Sequence, residues 1–352
     1  MTSAYDSGTS SNAAPFVFSG RGSEYFRIWI VNLLLSLLTL GIYSAWAKVR
    51  RTRYFYDNAS VAGSSFDYHG NPVAILKGRV IAVALIGLYQ IAPRISAGFG
   101  VAMFFLLLAA APWLIWKSLQ FKLHNSSYRG IRFGMRGAAK TAYLVFLALP
   151  LLTLLSGFLL TPFTHQRIKR FQHNASRFGN TAFSFHATVG SFYRTYLLGV
   201  LIAVAGFIAI GLGFGGTLTG LVSAGRHYTP ATIAATLLFF FALYAWVSVL
   251  SPLFLTLLQN IIWSNTRLGP HRFKSRMKWS RMIWIALSNL VLVSVTLGLY
   301  LPFAAIRTMR YRIESMTLLP ASDLNEFIAG AEPAGSVTGE GIADLIDFDL
   351  SL

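Results

Sequence analysis

Thr39-Leu40-Gly41-Ile42-Tyr43 is followed by Trp46 and then by Lys48, Arg50, Arg51, Arg53 and Tyr54, so an uncharged apolar segment runs directly into a basic, aromatic one. A bilayer boundary imposes that join: hydrocarbon rejects charge, while the headgroup layer favours amphipathic rings and cations. A near copy, Thr296-Leu297-Gly298-Leu299-Tyr300, has Arg307, Arg310 and Tyr311 at the offsets of Arg50, Arg53 and Tyr54. A weaker third copy starts at Ser156, where Pro162 and Phe163 match Pro302 and Phe303, and Arg167, Arg170 and Phe171 keep the spacing. The chain therefore reads as an internal repeat.

Composition gives the class. Mean hydropathy is +0.56, with 55% hydrophobic and 12% charged residues, too apolar for a soluble domain, whose surface needs about 25% charge. The formal charge of +18 flanks the apolar runs instead of covering one face, which suits positive-inside topology better than nucleic-acid binding. No cysteine is present, which excludes a disulfide, a thiolate metal site and a cysteine nucleophile.

Residues 1–15 are mostly Ser, Thr, Ala and Asn, without the basic start and apolar core of a signal peptide, and read as a disordered cytoplasmic tail. Residues 16–319 form one repeated transmembrane domain with apolar segments at about 28–47, 80–92, 95–116, 142–163, 196–214, 233–258 and 283–303. Two pairs in that series read as helical hairpins, one turning at Pro93-Arg94 and the other through a Gly-rich loop with Arg226, giving the order single, pair, single, pair, single. Residues 320–352 hold seven of the twelve acids and no base, which predicts a disordered tail. Between the apolar segments a cassette recurs: Asn58 with Gly63 and Phe66, Asn125 with Gly130 and Phe133, Asn174 with Gly179 and Phe183, Asn265 with Gly269 and Phe273. Each reads as an Asx or Ser/Thr turn entering a short strand, as does Phe16-Val17-Phe18. The fold expected is an all-α polytopic membrane bundle, internally repeated, with small cytoplasmic β-hairpin cassettes.

Seven full crossings would conflict with the charge. The loops 117–140 and 164–194 carry six and five bases without an acid, yet one apolar segment separates them. If the three single segments are re-entrant, with breaks near Gly41, Pro150 or Gly157, and Gly298, every basic loop and both tails stay cytoplasmic; if all seven cross, packing overrides the charge rule.

The Thr39 to Trp46 run, the Arg-Tyr cluster after it, and Asn58, Gly63, Phe66, Tyr68 and Gly70 resemble the YjgN-like family of bacterial inner-membrane proteins, from about Phe16 to Leu319. The central copy departs from the pattern, with Ser156-Gly157-Phe158 where Thr-Leu-Gly is expected. The resemblance implies an inner-membrane location and a multi-pass fold; it brings no reaction and no catalytic residues.

Asn32 and Asn289, each seven residues before the Thr of its motif, form the candidate intramembrane polar site, as interhelical hydrogen-bonding glue or as a substrate contact. Arg50, Arg51, Arg53, Arg167, Arg170, Arg307 and Arg310 are candidates for anionic lipid headgroups. Gly41 and Gly298 are expected to bend the backbone or permit close helix contact, and Tyr43 and Tyr300 to anchor the interface; Asn58, Asn125, Asn174 and Asn265 mark the cassettes. Histidines 69, 124, 173 and 186 lie at repeated positions without acid clusters or zinc motifs, so no metal, cofactor or catalytic group is assigned. Two function classes stand ahead of an enzyme: a small-solute or lipid transporter or channel, and a non-transporting scaffold holding anionic lipids or a protein partner through its basic-aromatic cassettes. The expected partners are membrane lipids and not nucleic acid; no protein partner is named, and a homo-oligomer is compatible with the sequence. A polar path past Asn32 and Asn289 would favour transport, a dry packed bundle the scaffold.

Overall fold

In the computed structural model, residues 13–216, 219–220, 229–322 and 327 are described. Among them ten strands form one closed antiparallel barrel. They are β1 (Ala14–Phe18), β2 (Ala59–Val61), β3 (Ser64–Tyr68), β4 (Ser126–Tyr128) and β5 (Ile131–Met135), then β6 (Ser176–Phe178), β7 (Thr181–Phe185), β8 (Thr266–Leu268), β9 (His271–Ser275) and β10 (Met316–Leu319). The expected all-α class with small separate sheets is thereby corrected. Strands of three to five residues would each leave a row of unpaired backbone groups if they capped the bundle separately. They pair with their neighbours on both sides instead, and β10 returns to β1 through Ala14 opposite Leu318, which removes every edge.

Between β1 and β2 the chain makes α1 (Gly22–Leu38) and α2 (Ser44–Asp57), and between β3 and β4 it makes α3 (Pro72–Ile95) and α4 (Ala97–His124). Between β5 and β6 come α5 (Ala139–Tyr143), a π-helical turn at Leu144–Ala148, α6 (Leu149–Leu155) and α7 (Thr161–Ala175). The last two insertions are α8 (Val189–Gly213) with α9 (Pro230–Ser264), and α10 (Trp279–Val295) with α11 (Leu301–Glu314). Because the strands alternate in direction, every helical insertion leaves and rejoins the same end of the barrel, and the tight β-turns occupy the other end.

The helical insertions differ in length. Helices α3, α4, α8 and α9 have 24, 28, 25 and 35 residues and are long and apolar enough to cross a membrane; at 1.5 Å per residue each exceeds ~30 Å of hydrocarbon. Pro93 lies inside α3, and the turn falls at Ser96, whose extended backbone and Oγ cap α4 by accepting from Phe99 N at 3.1 Å. Arg226 with most of its Gly-rich loop, residues 1–12 and nearly all of the acidic tail lie outside the described residues.

The three single apolar segments fold back. At the first tip Thr39 Oγ1 accepts from Tyr43 N at 2.9 Å while Gly41 N reaches Ser36 O at 2.7 Å. The third repeats this, with Tyr300 N to Thr296 Oγ1 at 3.0 Å and Gly298 N to Val293 O at 2.8 Å. Both turns need two successive left-handed residues, Leu40 and Gly41 at φ 51° and 91°, and Leu297 and Gly298 at 49° and 92°. In the central tip Gly157 and Phe158 take the two positions, at φ 61° and 68°, so its glycine serves one residue earlier. Pro150 lies in α6, away from this turn. The tips present Leu40 and Leu297, 95% and 94% exposed, as side chains that suit an apolar medium.

Tyr54 and Tyr311 pin the bases of their hairpins. Tyr54 Oη accepts from Arg21 N at 2.8 Å and donates to Arg21 O at 3.0 Å; Tyr311 does the same to Lys278 at 2.7 and 3.0 Å. This satisfies the N–H groups just before α1 and α10, while the two carbonyls also accept from Tyr25 N and Met282 N.

Candidate functional site

Alternation along the odd strands turns Phe16, Phe66, Phe133, Phe183 and Phe273 into the barrel. They close a ring: successive centroids lie 6.3, 6.4, 6.4, 6.2 and 6.4 Å apart around the circuit 16, 66, 133, 183, 273 and back. Val61, Tyr128, Phe178 and Leu318 from the even strands pack with them. At the turn end, the Phe327 ring meets the His271 ring at 4.3 Å. Among the described residues the barrel lumen is thus filled by aromatic and aliphatic groups, with no continuous polar column for water or ions to follow.

Above the ring lies a chamber of about 370 Å³, lined by four of the five phenylalanines and by the last turns of α2, α4, α7, α9 and α11. Its wall is mostly apolar, including Phe55, Leu119, Trp263, Met309 and Met316, with a few polar groups from Lys122, Gln172, His173, Gln259 and Arg312. Arg312 is buried; its Nε donates to Gln259 Oε1 at 2.9 Å, and Gln259 Nε2 donates to the Arg312 carbonyl at 3.0 Å. Gln172 Nε2 is buried without a partner among the described residues.

Lys169, one turn before His173 on α7, is 7% exposed. Burial, with the charges of Lys122 and Arg312 adding to it, pulls its pKa down to about 8. His165 and His173 are held neutral, at about 4 and about 3, first by burial and then by Lys169. Three cations therefore converge beside an apolar chamber.

The candidates from sequence are distributed differently. Asn32 and Asn289 do not line the chamber and are not hydrogen-bonded to each other; each is satisfied inside its own hairpin. Asn32 Nδ2 donates to Ala47 O at 3.4 Å and its Oδ1 accepts from Arg50 at 3.5 Å; Asn289 Nδ2 donates to Ala304 O at 3.3 Å and its Oδ1 accepts from Arg307 at 2.8 Å. Arg53 and Arg310 donate to the carbonyls of Tyr68 and Gly20 at 3.3 and 2.7 Å. Arg51 lies near Tyr25, whose pKa is raised by burial and partly offset by that charge. Arg167 and Arg170 come together with Arg136 in a separate cleft of about 550 Å³ beside α5 and α7. Tyr43 Oη accepts from Arg50 at 3.1 Å, and Tyr300 stacks on Phe303.

Asn58, Asn125 and Asn265 cap α2, α4 and α9, each donating Nδ2 to the carbonyl four residues earlier at 2.8 to 2.9 Å. Asn174 is offset by one: it lies within α7, Ala175 takes the equivalent place, and Asn174 Oδ1 accepts from Phe185 N at 2.8 Å. His69, His124, His173 and His186 bond separately to Ser127, Arg132, Thr266 and Ser184.

The five phenylalanines were legible as the aromatic of each strand, whereas nothing in the basic run Arg167 to Arg170 distinguishes Lys169 as the inward member.

A family model described as a bacterial protein of unknown function (DUF898) matches residues 13–345. Inner membrane protein YjgN of Salmonella typhimurium is 26% identical over 340 residues, covering 82% of this chain and 84% of the relative. The Escherichia coli O157:H7 and K12 proteins of that name are 28% and 27% identical over 74% of this chain, the match spanning 52% of their length. No solved structure matches.

Proposed function

The chain belongs to the bacterial family of unknown function DUF898, and we propose that it holds one small apolar or amphiphilic molecule of lipid class in the axial chamber, as a carrier in the inner membrane. The relatives are inner-membrane proteins, and four helices of membrane-crossing length support that placement. The observation that carries the reading is the chamber: about 370 Å³, predominantly apolar, and floored by the phenylalanine ring. Pockets for small organic molecules have this character, with volumes of about 300–1,000 Å³ and a few convergent polar groups. Ion or small-solute conduction through the barrel is disfavoured by the same ring, which puts aromatic carbon where a channel needs water.

The recurring order of strand, helical hairpin, strand supports a five-unit internal repeat, with the last helix of every unit ending at the chamber. That every helical insertion starts and ends on one barrel end, where the bases cluster, supports a cytoplasmic location for both tails and all basic loops. A second reading, the scaffold, draws on the cleft where Arg136, Arg167 and Arg170 converge, which suits an anionic headgroup.

Protein purified in a neutral detergent should yield a bound lipid-class molecule on solvent extraction and mass analysis. Ser176→Phe, which projects a ring into the chamber from a β6 position, should lower its occupancy at least fivefold. Equal occupancy in the two proteins would refute the chamber as the binding place.

A further inference from the structure

We infer that the chamber takes a single-chain anion, a carboxylate- or phosphate-headed amphiphile whose acidic group meets Lys122, Lys169 and Arg312 while its chain lies against the phenylalanine ring. This rests on the chamber being the ligand site.

Among the described residues, the charged groups at this place have one sign. Lys122 and Arg312 line the chamber, and Lys169 is near enough to both for their charges to act on it. Lys169 Nζ has no hydrogen-bond acceptor and no carboxylate partner among the described residues, although the residue is 93% buried by its 7% exposure. Gln172 adds a buried, unpartnered amide donor on the chamber wall. Of the nearby acceptors, Gln259 Oε1 is already occupied by Arg312.

Converging cations removed from water repel one another and lose hydration, so an empty site of this kind costs stability. An acidic ligand reverses both penalties, supplying acceptors and opposite charge in a low-dielectric place. The apolar remainder of the wall rejects a bare hydrated anion but suits a hydrocarbon chain. A volume of about 370 Å³ is near the lower end of small-molecule pockets and suits one chain better than a two-chain phospholipid.

The test uses the full-length protein in a neutral maltoside detergent and reads the melting temperature with dodecanoate, dodecyl phosphate, dodecanol and inorganic phosphate. The two anionic amphiphiles should raise it by several degrees at concentrations where dodecanol and inorganic phosphate do not. Lys122→Met and Lys169→Met should each weaken the anionic effect at least tenfold, and unliganded Lys169→Met should melt no lower than the native chain. An equal shift with dodecanol would overturn the anion and leave the chamber standing; no shift with any amphiphile would overturn both. An equal shift with inorganic phosphate would overturn the amphiphile in favour of a free anion. Should Lys169→Met fail to fold, the native panel and Lys122→Met decide alone, and an undiminished anionic effect in Lys122→Met would refute the assignment.

Discussion

Gln259 and Arg312, 53 residues apart, clasp each other twice: the guanidinium Nε donates to the amide oxygen at 2.9 Å, and the amide nitrogen donates back to the Arg312 carbonyl at 3.0 Å. Both side chains are buried, and the pair ties the end of α9 to the end of α11 at the chamber wall. Removing one partner of a buried charge-assisted bond costs more than removing both, because the survivor keeps its desolvation penalty. Gln259→Leu should therefore destabilise by about 2 kcal/mol, and Gln259→Leu with Arg312→Met should recover part of that loss. Thermal denaturation of the native chain, Gln259→Leu, Arg312→Met and the double variant checks it; a double variant as unstable as the sum of the two single losses would rule out the clasp.

Gly41 is a backbone requirement and not a packing one. It sits at φ 91° with nothing within 4 Å of where a Cβ would stand. A left-handed conformation costs an L-residue roughly 1–2 kcal/mol whatever its size. Gly41→Ala and Gly41→Leu should therefore lose similar stability, against the size-graded loss that close helix contact would produce. A leucine variant markedly worse than the alanine variant would show a neighbour this structure lacks.

The apolar segments, the cassette strands and the tip glycines were readable because each is a local pattern: hydropathy over twenty residues, alternation over five, a glycine before a base. The barrel was not. Phe16 and Phe273 are neighbours in the ring at 6.4 Å, but periodicity within either strand says nothing of a partner at the other end of the chain. The all-α expectation failed there, since the four cassettes were read as small separate sheets. Asn174 misled in the opposite way: its residue type matched Asn58 and Asn125, and only the strand register, with Ser176 opposite Met135, shows the one-residue offset. For Asn32 the sequence left two readings, interhelical glue or a substrate contact, because its partners, Ala47 and Arg50, approach only after the segment folds back.

The proposed cytoplasmic orientation of the shared barrel end can be tested by labelling. Ser65 is exposed on β3 at the barrel, and Arg94 is exposed at the far end of the α3 and α4 pair. Since the native chain has no cysteine, Ser65→Cys and Arg94→Cys each offer one thiol. An impermeant maleimide applied to intact spheroplasts should label position 94 and spare position 65 until the membrane is opened. Labelling of position 65 in intact spheroplasts would place the barrel outside and reverse the assigned topology.

Lys169 should make stability depend on alkaline pH, with a definite sign. Its folded pKa, pulled down to about 8 by burial and by Lys122 and Arg312, lies below its ordinary value of 10.5. Below pH 8 the ammonium is charged in both states, so the full cost of burying it is present. Between about 8 and 10.5 the folded chain sheds the proton first, the unfolded chain binds more protons, and stability rises with pH. The shift corresponds to roughly 3 kcal/mol at most. His165 and His173, at about 4 and about 3, stay neutral through this window and do not contribute. Lys169→Met removes the cost at every pH, so it should melt several degrees above the native chain at pH 7, and the gap should close by pH 10. Comparing the two proteins across pH 7 to 10 cancels the other titrating groups. A gap that stays constant over that range would mean Lys169 is not an uncompensated buried cation, and the chamber would lose the group that most clearly calls for an anion.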